Sequence, residues 1–148
     1  MTVLIDTNVL SYLFKRDTRM VGYQELLVGQ TIAISFMTLA EVFEWTDRHQ
    51  WGQERRAALA AQMQDYIVIP SSPMLCEQWA TIRGNLRRKG HQISLSDAWI
   101  AATAVVYRLP LVTHNVRDFR MVEHLTLYTT LGTSPGTSSP DHDSTESP

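Results

Sequence analysis

Val3-Leu4-Ile5-Asp6-Thr7-Asn8-Val9-Leu10 decides how the rest of the chain reads. Val3-Leu4-Ile5 has no polar member, as expected of a strand buried on both faces. An acid follows at once, and a helix is predicted from Thr7 to Phe14. The same alternation continues along the chain. Helix is predicted over Thr18–Val28, stopped by Gly29, and strand over Thr31–Ser35. Helices follow over Thr38 to about His49 and Gln53–Gln64. Tyr66–Ile69 is a third strand, ended by Pro70, and Pro73–Lys89 a long helix ended by Gly90. Ser96–Arg108 is a helix apolar almost all round. Leu111–Thr113 is a fourth strand and Leu125–Thr129 a fifth. Short apolar strands separated by helices specify an α/β fold, a parallel sheet with helices on both faces.

Ligands of such sheets bind outside the carboxyl ends of the strands. Four acids fall there. Asp6 follows the first strand, and Glu41 lies in the first turn of the helix after the second. Asp97 opens the apolar helix, and Asp118 stands in the loop after the fourth strand. If the first and fourth strands are neighbours, these acids converge on one cleft. Crowded carboxylates raise each other's pKa, and a divalent cation removes the conflict. Oxygen ligands without a His or Cys cluster favour Mg²⁺ or Mn²⁺ over zinc. Such an ion suits phosphodiester hydrolysis. Each acid also has a simpler explanation. Asp6 or Thr7 can cap the following helix. Thr38-Leu-Ala-Glu41 has the form of a capping box. Ser96 can cap the apolar helix, with Asp97 favoured by the helix dipole. Asp118 can be a solvated loop acid. The metal reading rests on the set of four.

The chain has 148 residues, 44% apolar and 19% charged, the composition of one globular domain. No apolar run approaches the roughly 20 residues that cross a membrane. The first residues lack a basic stretch before the apolar ones, so no secretory leader is expected. Cys76 is the single cysteine, which excludes an internal disulfide and a multi-cysteine zinc site; it reads as a small buried hydrophobe in a protein of the reducing cytoplasm. Formal charge is −2, no basic footprint for nucleic acid. The acids of residues 133–148 hide a balance of +1 in the remainder. That stretch has no Val, Ile, Leu or aromatic residue and reads as a disordered tail behind a domain of residues 1–132.

The motifs match a known pattern. Leu4-Ile5-Asp6-Thr7-Asn8-Val9-Leu10, Thr38-Leu-Ala-Glu41-Val, Ser96-Asp97-Ala-Trp-Ile-Ala-Ala-Thr-Ala104 and Leu111-Val-Thr113-His-Asn115-Val-Arg-Asp118-Phe119 resemble, in order and spacing, the four motifs of PIN-domain nucleases. The chain most resembles the VapC group, toxins of bacterial toxin–antitoxin pairs. The resemblance implies a PIN-like three-layer α/β/α sandwich around a parallel sheet, and Mg²⁺- or Mn²⁺-dependent endoribonuclease activity. It also implies a homodimer and inhibition by a cognate antitoxin protein. Asp6, Glu41 and Asp97 would be the acidic ligands. The fourth position is Asn115 or Asp118, and Asp118 alone can supply charge. Thr7, Asn8, Thr113 and Asn115 would give polar support.

Arg87-Arg88-Lys89 ends the long helix. It reads either as cations favoured by the helix dipole or, with Arg117 and Arg120, as a rim for the RNA backbone. Trp45, Trp51 and Trp79, placed on helices, read as core or interface. His114 adjoins the fourth motif and reads as incidental. The alternative function is a catalytically inactive PIN-fold RNA- or protein-binding module, against which the four intact acids argue. A phosphatase of the Asp-x-Asp type is disfavoured because Asp6-Thr7-Asn8 lacks the second Asp. Truncation after Gly132 is expected to leave the melting temperature unchanged, since the tail cannot support a core; a large loss would mean that it docks on the domain.

Overall fold

The computed structural model describes residues 1–15 and 17–130; the predicted tail, 133–148, lies outside the described residues. Twelve elements alternate in the described chain. They are β1 (Thr2–Ile5), α1 (Thr7–Lys15), α2 (Met20–Leu27), β2 (Thr31–Ser35), α3 (Phe36–Arg48), α4 (Gln53–Gln62), β3 (Ile67–Ile69), α5 (Pro73–Arg88), α6 (Leu95–Tyr107), β4 (Leu111–Val112), α7 (Val116–Phe119) and β5 (Leu127–Tyr128). All strands are parallel, in the order β3-β2-β1-β4-β5. The first three run outward in one direction and the chain then returns to the other side of β1. The order therefore reverses between β1 and β4, where Ile5 pairs with Val112.

Period-two alternation sorts the strand residues onto two cores. Leu4, Ala33, Leu111 and Leu127 pack with Leu75, Ile82, Leu86 and the α6 residues Ile100, Ala101 and Ala104. Val3, Ile5, Ile34 and Val112 pack on the opposite face with Val9, Leu10, Tyr23, Leu27 and Leu59. The result is the expected three-layer α/β/α sandwich. Its centre, Leu4, Ile5 and Leu111, is fully buried, and Ile100→Ala is expected to cost about 2–5 kcal/mol. Among the described residues no helix is long and apolar enough to cross a membrane.

Two helices start earlier than expected. Ser35, the last residue of β2, has extended φ/ψ and its hydroxyl accepts the Met37 N–H, so α3 begins at Phe36 instead of Thr38. Ser94, not Ser96, caps α6, its hydroxyl accepting the Asp97 N–H at 3.1 Å. The loop assigned to Asp118 is a one-turn helix, α7. Trp51 is buried but lies between α3 and α4, not on a helix. Cys76 is exposed, not buried. The inner stripe of α5 is Leu75, Ile82 and Leu86, and the residue after Leu75 is turned about 100° away from it.

Candidate active site

Asp6 is the first residue after β1, at the point where strand order reverses. Both its oxygens are engaged. Oδ1 accepts the Val9 N–H at 2.8 Å, which caps α1, and Oδ2 accepts the Thr113 hydroxyl at 2.6 Å. The capping and site readings of Asp6 are therefore compatible: one oxygen orders the helix, the other ties β1 to the end of β4. Thr113 follows Val112, so the β1–β4 register delivers it to Asp6. Its Oγ1 also accepts the Asn115 N–H at 2.9 Å, folding the chain into a tight turn ahead of α7.

Glu41 belongs to the second turn of α3, because Ser35 occupies the cap. The capping-box reading of Thr38–Glu41 is thereby corrected. The Glu41 carboxylate instead accepts the Thr7 hydroxyl from α1 at 2.9 Å, and that hydroxyl lies 3.1 Å from the Thr38 hydroxyl. Asp97 sits in the first turn of α6, half-buried, and Asp118 is exposed on α7.

Electrostatics ties the four together. Asp6 is 3% exposed. Burial pushes its carboxyl from 3.8 up to about 6 against the Thr113 and Val9 hydrogen bonds, with the charges of Asp97 and Glu41 adding to the rise. Burial also raises Glu41, the Thr7 hydrogen bond opposes it, and Asp97 adds to it. Asp97 is raised by burial, opposed by Ser94, and raised again by Asp118. A cleft that gathers partly desolvated acids of one sign is arranged to receive positive charge.

Among the described residues no group of three His, Cys, Asp or Glu side chains stands close enough to enclose a metal ion. The donor set nevertheless fits a hard, hydrated cation. Mg²⁺ keeps several waters and commonly takes only one or two carboxylates, and carboxylates that hold protons too tightly gain from any cation that replaces the proton.

Not every expected residue meets the acids. Asn8 is exposed on α1, one residue from Thr7, and Arg117 is exposed beside Asp118. Lys89 pairs with Glu123 at 3.0 Å and lines a groove with Pro110 and Thr126, which precede β4 and β5. The basic end of α5 thus lies where strands begin, opposite the edge that holds the acids. Arg88 donates to Asn85.

Two residues beside the site have partners that the sequence does not betray. The fully buried Tyr23 of α2 has its hydroxyl 2.7 Å from His114 Nδ1 and 3.4 Å from the Thr113 carbonyl. His114 is therefore held by Tyr23, and Tyr23 braces the turn that presents Thr113 to Asp6. Tyr23→Phe keeps the packing and removes the hydroxyl. It is expected to lower stability by about 1 kcal/mol, measured by thermal melting.

The sequence model of the PIN domain family matches residues 3–125. The chain belongs to the PIN domain family. Ribonuclease VapC1 of Haemophilus influenzae (strain R2866) is 26% identical over 127 residues, covering 84% of this chain and 95% of the relative. The complex of VapBC2 from Rickettsia felis, bound to a DNA fragment from its promoter, contains a chain that superposes with a TM-score of 0.77. Identity there is 27%, with 87% of this chain and 98% of that chain covered. A toxin–antitoxin complex from Klebsiella pneumoniae contains a chain 30% identical, with a TM-score of 0.64, covering 84% of this chain and 95% of that one. The PIN domain here is thus similar over nearly its whole described length to VapC ribonucleases and to chains of toxin–antitoxin complexes.

Proposed function

We propose that this PIN domain is a Mg²⁺- or Mn²⁺-dependent endoribonuclease that acts as the toxin of a toxin–antitoxin pair. The observation that carries the reading is the buried Asp6, locked by Val9 and Thr113 at the β1–β4 junction and crowded by Glu41 and Asp97. Relatives named VapC ribonucleases and structural neighbours from toxin–antitoxin complexes support it.

Asp6 and Asp97 would hold the ion, with Glu41 joining directly or through water. When bound, the ion lowers the pKa of water and neutralises charge on the phosphodiester. Asp6 is a pre-oriented ligand, because two hydrogen bonds fix its carboxylate before anything binds. Thr7 orients Glu41 in the same way. Asp118, exposed and electrostatically coupled to Asp97, adds negative charge at the rim, with Asn115 and Asn8 as polar neighbours. The protein partners are a cognate antitoxin and a second copy of the chain.

RNA turnover with and without Mg²⁺, in wild type and Asp97→Asn, tests the proposal. Asp97→Asn is expected to fold normally, to lose cleavage and to lose growth arrest on expression. A variant with wild-type toxicity would remove the metal site.

A further inference from the structure

A groove of about 270 Å³ opens beside the acids between α1 and α3, and Thr7 and Glu41 belong both to it and to the site. Its floor is apolar, made by Leu10, Val42 and Leu59. Asn8, Ser11 and Lys15 recur along one face of α1 at helical spacing and form its polar edge. The far wall is the indole of Trp45, itself packed on Trp51 with ring centroids 4.7 Å apart.

Two cations line this groove and they differ. Arg48 forms an ion pair with Glu44 one turn away on the same helix, so its charge is already met. Lys15 forms no ion pair among the described residues; its charge acts on the Asp17 carboxylate, which is already bound by Arg19. Its ammonium rests over the Trp45 ring, 4.4 Å from the centroid, a contact worth little at an exposed site and easily exchanged for a stronger anion. The groove thus combines an apolar floor, hydrogen-bonding side chains and one cation outside any ion pair, and it begins at the acids.

We propose that this groove is a nucleotide subsite. It takes the nucleotide next to the scissile phosphate of single-stranded RNA, its ribose and base lying on the Leu10–Val42 floor beside Trp45 and its phosphate meeting Lys15. The inference rests on the ribonuclease reading above and adds the direction in which the strand leaves the site. A polynucleotide cut internally carries a further nucleotide on each side of the cut.

The test is steady-state cleavage of a short unstructured RNA by the full chain, with Lys15→Ala and Lys15→Arg beside wild type. Lys15→Ala should raise KM on the order of 10-fold with kcat nearly unchanged. It should also flatten the dependence of log KM on log salt by about 0.7, the share of one phosphate contact in single strands. Lys15→Arg should restore both. In EDTA, where nothing is cut, RNA should quench tryptophan emission in wild type and much less in Trp45→Phe. If wild type cleaves RNA while Lys15→Ala keeps its KM and salt slope, the subsite is wrong and the ribonuclease reading stands. If Lys15→Ala weakens only a protein partner, the groove is a protein-docking site and the proposal also falls. If wild type cleaves no RNA, both readings fall together.

Discussion

Asp6→Asn is expected to abolish RNA cleavage, by three orders of magnitude or more, while making the metal-free protein more stable at pH 7. The two effects have one origin. In the folded chain the Asp6 carboxyl binds its proton up to about pH 6, against 3.8 for an ordinary aspartate. The folded state therefore holds more protons than the unfolded state between those values. Stability without metal falls as pH rises from about 4 to about 6 and is level above that. A shift of this size corresponds to about 3 kcal/mol, an upper bound on what neutralising the residue recovers. The amide can still accept the Val9 N–H, and its NH₂ can donate to Thr113, so the cap and the strand tie survive. Melting in EDTA across this pH range checks the first half: the wild-type slope should be largely absent from the variant. A variant that melts below wild type at pH 7 would show that burial and crowding do not weigh on this carboxylate.

Glu41→Gln isolates charge from shape. The side chain accepts the Thr7 hydroxyl at 2.9 Å, and an amide oxygen accepts it equally well. With Ser35 capping α3, no capping box remains to be disturbed. Stability should hold or rise, because a raised carboxylate beside Asp97 is removed. Cleavage should fall by two or more orders of magnitude if the negative charge serves the site. Melting temperature and turnover on this one variant decide the matter, and an active enzyme would take Glu41 out of the acid set.

Much of this was legible in sequence because strand burial and site position share one signal. Val3-Leu4-Ile5 and Leu111-Val112 are apolar on both faces, and Asp6 and Thr113 are the first polar residues beyond them. Helix starts were less legible. Ser35 serves as both the end of a strand and a helix cap, so the apolar Phe36-Met37 conceals that α3 has begun. That two-residue offset turned Glu41 from a second-turn residue into an apparent capping partner. Cys76 shows a similar error of phase, one position off a buried stripe. The Tyr23–His114 contact joins residues 91 apart, and no local pattern announces such a pair. Nor does composition show that the basic end of α5 lies at the sheet edge away from the acids; only the direction of the helix relative to the strands fixes that.

The hydrogen bond from Thr113 to Asp6 spans 107 positions of chain, and β4 that carries it has only two residues. So short a strand gains little by itself and is held by pairing with β1 on one side and β5 on the other. Closing a loop of this length is entropically costly until many other contacts are in place. The first half of the sheet carries Asp6 and Glu41, but the Asp6 carboxylate has its second anchor and its neighbour Asp97 only when the α6–β4 segment is seated. Activity is therefore expected to report on the integrity of this two-residue strand before any global melting is visible, which turnover and melting followed together along a denaturant series would check.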